Sequence, residues 1–80
     1  MITILFFASA RDAAGVSSRT FDTPAGSSVR EIADMLCREY PALAPLRPSL
    51  RFAVNQSLAV DSTAVPDGAE IAVLPPVSGG

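Results

Sequence analysis

Eighty residues with a formal net charge of −2, no histidine and one cysteine leave room for a single domain and very little catalytic hardware. Without histidine the commonest metal ligand and general base are gone, and a lone cysteine closes no intrachain disulfide; zinc sites, Ser/His or Cys/His pairs and an oxidising compartment lose their support. The apolar share, 49%, suffices for a compact core, and a slightly acidic chain argues against a nucleic-acid partner.

In chain order, Ile2 to Ala8 gathers Ile2, Ile4, Leu5, Phe6 and Phe7, a β-prone run that ends at polar Ser9, Arg11 and Asp12. Ala8-Ser9-Ala10 imitates a signal-peptidase site. No positive residue precedes the run, however, and it is short for a signal-peptide core, so it reads as a buried strand of a cytoplasmic protein. No stretch approaches the length that spans a bilayer, and no membrane partner is expected. Gly15 supplies a turn, Ser18 to Thr23 is the returning strand of a hairpin, and Pro24-Ala25-Gly26 breaks it.

Ser28-Val29-Arg30-Glu31 is a capping box: the serine oxygen can accept from the Glu31 amide while Glu31 reaches back to the Ser28 amide. Beyond it Val29, Ile32, Ala33, Leu36, Cys37 and Tyr40 fall on one helical face, with Arg30, Glu31, Asp34 and Arg38 opposite and Met35 off the core face. Pro41 ends the helix, and Pro45 and Pro48 keep the next segment irregular, with room for one short helical turn. Leu50 to Val54 is a third strand, Asn55-Gln56 a turn, and Leu58 to Val60 a short fourth strand. Pro66-Asp67-Gly68 is a turn, and Glu70 to Leu74 is the last strand. Pro75-Pro76 cannot extend a sheet interior, so residues 77–80 should project as a flexible tail from a domain of residues 1–76.

Strand, strand, helix, strand, strand, strand implies an α+β fold: a mixed sheet of about five strands curled over one main helix, the β-grasp arrangement of ubiquitin. One helix covers one sheet face. Ile2, Ile4 and Phe6, then Leu50, Phe52 and Val54, then Ile71 and Val73 form the uniformly apolar sets that belong beneath it. Leu5, Phe7, Ala53, Ala72 and Leu74, with Leu58 nearby, remain on a face that nothing in the chain covers. Large exposed apolar groups of that kind mark a partner surface.

The chain closes on Val77-Ser78-Gly79-Gly80. By composition alone a terminal diglycine has a chance of roughly 0.5%. The functional reading makes the Gly80 carboxylate the reactive group. A carboxylate is a poor electrophile and must first be activated, with an acyl-adenylate as the usual route, inside a site that excludes water. Two residues without Cβ let the end pass a narrow channel and adopt backbone angles closed to others. Pro75 to Gly80 reaches roughly 20 Å when extended, and Pro75-Pro76 stiffens its base. Cys37 lies on the apolar helix face and reads as a small core hydrophobe. No glycine-rich phosphate loop is present, so ATP is expected on a partner and no cofactor on this chain.

LFFASARDAAG (Leu5 to Gly15), FAVNQSLA (Phe52 to Ala59) and DGAEIAVLPPVSGG (Asp67 to Gly80) together resemble the family of molybdopterin synthase small subunits, ubiquitin-like sulfur carriers, over the whole length. The resemblance implies that an E1-like adenylyltransferase adenylates Gly80, that a persulfide sulfur donor converts it to a thiocarboxylate, and that the charged tail enters the large synthase subunit of a heterotetramer. There the sulfur attacks cyclic pyranopterin monophosphate, and the chain alone catalyses nothing. By the same resemblance Gly80 holds the sulfur, Gly79 gives access, Pro75, Pro76, Val77 and Ser78 lie in the partner's channel, and Phe7, Leu58 and Leu74 are interface positions. Leu74 departs from the aromatic common before the two prolines. Arg11 matches a basic position after the first strand and is a partner contact. Other readings are a carrier for thiamine synthesis or another thiolated product, a modifier joined to lysines of target proteins, and a non-covalent ubiquitin-like binding module.

Overall fold

Alternation decides the sheet. In the computed structural model, which describes residues 1–75, β1 (Ile2–Phe6) buries Ile2, Ile4 and Phe6 and leaves Thr3 and Leu5 half-buried on the other side. The remaining strands are β2 (Ser18–Phe21), β3 (Arg51–Val54), β4 (Ser57–Ala59) and β5 (Glu70–Leu74). Their spatial order is β2-β1-β5-β3-β4; β1 and β5 run parallel and the other neighbours antiparallel. Among the described residues two α-helices, α1 (Ala8–Ala14) and α2 (Val29–Glu39), accompany the strands, with a 3-10 helix over Pro41–Ser49. The expected mixed five-stranded α+β sheet under a main helix is therefore present. The expected boundary at residue 76 and the tail after it lie outside the described residues.

The core joins Val29, Ile32, Ala33 and Leu36 of α2 to Ile2, Ile4, Phe6, Leu50, Phe52, Ile71 and Val73 in one cluster, closed by Ala10, Leu43, Val65 and Ala69. These are the side chains that alternation placed beneath the helix, except that Val54 is only half-buried. Met35, expected off the core face, is half-buried against the cluster. Tyr40 stands edge-on to Phe6 at 5.5 Å, and its hydroxyl accepts from Arg19 at 2.9 Å, which ties β2 to the end of α2.

Several boundaries differ from the sequence expectation; β3 starts at Arg51 and not Leu50, and β4 ends at Ala59 and not Val60. β1 stops at Phe6, because Ala8 turns the chain with φ 48° and starts α1 where a loop was expected. Four alanines in ASARDAA favour a helix, Ala10 is buried beneath it, and Gly15 at φ 78° closes it by donating to the Arg11 carbonyl at 2.8 Å. Pro41–Ser49 forms nine residues of 3-10 helix instead of one turn; Pro45 and Pro48 inside it remove amide donors that an α-helix would need. β2 ends at Phe21, before Thr23. β4 starts one residue early, at Ser57, because Asn55-Gln56 is a two-residue hairpin loop with φ 49° and 73° that pairs Val54 with Ser57.

The capping box forms as read. The Glu31 amide donates to Ser28 Oγ at 3.1 Å, and the Ser28 amide donates to Glu31 Oε1 at 3.0 Å. Ser28→Ala should cost about 1 kcal/mol in chemical denaturation. The Ser28 amide holds the Glu31 carboxyl below its ordinary value. That contribution is therefore present above the ordinary carboxylate range and is lost as pH falls through the lowered folded value. The stability gap between wild type and Glu31→Gln should shrink over that acid window; a gap that stays constant with pH would show that the charge plays no part.

Candidate functional site: the uncovered sheet face and the exit of the tail

Strand register assembles the face that α2 leaves open. Leu5 pairs with Ala72, Ala72 with Ala53 and Ala53 with Leu58, so one row of apolar side chains crosses four strands. The next row lies closer to the exit. Phe7 remains extended at φ −117° and donates its amide to the Val73 carbonyl at 3.2 Å, which carries the β1/β5 register one step past Phe6 and Val73 to Phe7 beside Leu74. Leu74 pairs with Arg51 on its other side. Leu58 is 76% exposed, Val60 67% and Phe7 45%, large apolar groups facing outward.

Of the residues singled out from sequence, Phe7, Leu58 and Leu74 thus come together on this face, and Pro75 directly follows Leu74 where β5 ends. Ala53 belongs to the same row but is buried, being small between Ala72 and Leu58. Arg11 is exposed on α1 and its amide donates to the Phe7 carbonyl at 3.3 Å, so α1 positions it just after the face residue; among the described residues it makes no ion pair. Pro76, Val77, Ser78, Gly79 and Gly80 lie outside the described residues. Sequence reading left Arg51 out of the site residues, and its pairing with Leu74 sets it in the row nearest the exit.

The Asn55 side chain explains why the turn before Leu58 holds its place. Asn55 Oδ1 accepts from the Glu70 amide at 2.9 Å, and the Asn55 amide donates to the Glu70 carbonyl at 2.8 Å. This reciprocal pair clamps the β3–β4 hairpin to the start of β5 and fixes the row that ends in Leu58.

Nothing on the face supplies chemistry of its own. Among the described residues no group of three or more His, Cys, Asp or Glu could hold a metal ion, and no helix is long and apolar enough to cross a membrane. Cys37 packs half-buried against the core on the helix side of the sheet, and burial pushes its thiol above the ordinary value, which disfavours the nucleophilic thiolate. The Arg47 guanidinium binds Asp61 at 3.2 Å and Arg30 approaches the same carboxylate at 3.9 Å, a surface cluster that satisfies itself. What the geometry offers is an open apolar face whose central strand, β5, ends at Leu74.

Comparison with known proteins agrees with this geometry. The model of the ThiS family matches residues 4–80. The molybdopterin synthase sulfur carrier subunit of Arabidopsis thaliana is 37% identical over 79 residues, 99% of this chain and 82% of that protein. The protein of the same description from Chlamydomonas reinhardtii is 36% identical over 99% of this chain and 98% of its own. Among solved structures, small archaeal modifier protein 1 of Haloferax volcanii superposes with a TM-score of 0.85 at 26% identity, covering 99% of this chain and 98% of that one.

Proposed function

This chain belongs to the ThiS family, beside the molybdopterin synthase sulfur carrier subunits, and on that premise we propose that it carries sulfur on the carboxylate of Gly80 and delivers it to cyclic pyranopterin monophosphate. The observation that carries the proposal is the continuity of β5 with the diglycine segment: the strand that ends at Leu74 lies centrally in the uncovered face, so a protein docked on that face receives the tail at a fixed point.

The chemistry divides between this chain and its partners. An E1-like adenylyltransferase docks on the Phe7, Leu58 and Leu74 rows and transfers AMP from ATP to the Gly80 carboxylate, releasing pyrophosphate. A persulfide sulfur attacks that acyl carbon, AMP leaves with the C–O bond pair, and a second thiol of the donor cleaves the S–S bond of the resulting acyl disulfide, leaving the thiocarboxylate on Gly80 and a disulfide on the donor. The carrier then exchanges partners and docks on the large synthase subunit, whose active site encloses the tail. There the thiocarboxylate sulfur attacks a carbon of the pterin precursor and displaces its oxygen substituent, and water cleaves the acyl–sulfur bond of the thioester so formed, leaving the sulfur on the pterin and the carboxylate on Gly80. Because the product is a dithiolene with two sulfurs, two charged carriers serve each product, which a heterotetramer with one carrier at each end accommodates. ATP and the catalytic side chains belong to the partners; this chain supplies the docking face and the reactive end.

Incubating the protein with ATP, an E1-like activating enzyme and a sulfide source, then measuring intact mass, tests the proposal. The expected result is a gain equal to one oxygen replaced by sulfur, localised to the Gly80 peptide and dependent on ATP. No gain with several competent activating enzymes sinks the thiocarboxylate reading. The same assay on Cys37→Ser should give an unchanged gain, since the thiol is half-buried and held protonated; loss of loading in a folded Cys37→Ser protein would reassign the sulfur to the helix.

The likeness to a small archaeal modifier protein supports a second reading, in which the activated Gly80 is joined to target amines. It predicts covalent conjugates in cells that retain the diglycine and none in cells that lack it. The carrier reading predicts thiocarboxylate without such conjugates.

A further inference from the structure

Arg51 stands in an unusual place for a cation. It lies on the uncovered face in β3, an interior strand, with Leu74 paired to it on the β5 side. Along its own strand the next residue on that face is Ala53, which is buried. Arg51 itself is exposed, and among the described residues it makes no ion pair. On the β5 side, the acid sharing this face is Glu70, four residues from Leu74 and therefore about 13 Å along the strand. Glu70 also belongs to the row of Thr3, at the end of the sheet remote from the tail.

A guanidinium in such a row has two different states. In the free chain it is hydrated and costs nothing. Once a protein covers Phe7, Leu74 and Leu58, water leaves the guanidinium too, and an unpaired buried charge opposes binding. The face can be used as an apolar docking surface only by a partner that brings the missing countercharge. Arginine accepts a carboxylate through two parallel N–H donors, so its pairing also fixes orientation.

Resting on the carrier reading above, we propose that Arg51 is a specificity-determining residue of this face, pairing with a carboxylate on the docked large synthase subunit immediately beside the entry of the tail. The apolar rows supply contact area, and Arg51 selects for a subunit with an acid at that one place. It also orients the carrier so that the end of β5 meets the channel.

The test measures binding of the purified large subunit from the same organism to Arg51→Glu, Arg51→Leu and Leu58→Asp proteins at low and high salt. Arg51→Glu should weaken binding by at least about thirtyfold with an unchanged unfolding temperature. Arg51→Leu, which keeps apolar volume, should weaken it as well and flatten its salt dependence, because the partner acid is then left unpaired. Arg51→Leu binding more tightly than wild type, or with the same salt dependence, overturns the proposal. Wild-type binding by Arg51→Glu alongside lost binding by Leu58→Asp overturns it while leaving the carrier reading in place. Wild-type binding by all three shows that the large subunit uses another surface, and the docking part of the carrier reading falls with the proposal.

Discussion

Removing Gly79 and Gly80 should abolish sulfur loading below detection while leaving the unfolding temperature of the domain unchanged. The truncated chain still ends in a carboxylate, now on Ser78, so the loss cannot come from a missing functional group. It comes from reach. Two residues shorten the extended tail by about 7 Å. A displacement of only about 1 Å from attack geometry is enough to cost on the order of a hundredfold in rate. A docked carrier with its end 7 Å short of the adenylating site presents nothing to attack. Stability should be untouched because, among the described residues, the core side chains lie between Ile2 and Val73. Gly80→Ala should be milder, retaining the reach and adding a Cβ in the channel, and should slow loading without abolishing docking. Loading of the truncated protein at the wild-type rate would show that the reactive end is not where we place it. A lowered unfolding temperature would give the tail a structural role instead.

The reading of fold and site from sequence succeeded where the signal was local. The capping box needs only residues 28 to 31, and the buried stripe of α2 only its own spacing. Strand faces follow from alternation, which is why Ile2, Ile4, Phe6, Ile71 and Val73 were placed beneath the helix from residue types alone. It failed where two local signals overlapped or where the cause was distant. Phe7 extends a β-prone run straight into an alanine-rich segment, and alanines give a helix a weak apolar stripe, so α1 was hidden behind β1. The long 3-10 helix depends on proline spacing that reads equally well as irregular chain. Ala53 is buried because of Ala72 and Leu58, neighbours that only the sheet order supplies. The same limit applies to the site. The diglycine itself is plain in the sequence and the chemistry proposed for it rests on residue type, but the row that joins Phe7, Leu74 and Arg51 depends on parallel pairing between β1 and β5 and on the neighbouring β3. No local pattern encodes that pairing.

Leu58→Asp should separate folding from docking more cleanly than any other single change. At 76% exposed, Leu58 contributes little to the core, and an exposed substitution of this kind changes stability by about 0.5 kcal/mol or less. Its neighbours in the row are Ala53, Ala72 and Leu5, all small or half-buried, so in the free protein the new carboxylate remains hydrated. In a complex it would be stripped of water against an apolar surface. Anchor side chains at such interfaces cost about 2 kcal/mol or more on simple truncation, and an added unpaired charge raises that further. The affinity for the large subunit should therefore fall by about a hundredfold or more. Slower adenylation by the activating enzyme should accompany it, because the proposal has both partners dock on one face. Ile71→Ala is the contrasting control: Ile71 is fully buried, and its truncation should cost about 2–5 kcal/mol in stability, so any functional loss would follow unfolding. If Leu58→Asp weakens one partner and spares the other, the two proteins use different surfaces, and the carrier need not leave one to meet the next. Equal loss toward both would make docking mutually exclusive, so that the thiocarboxylate must survive in solution between release and delivery.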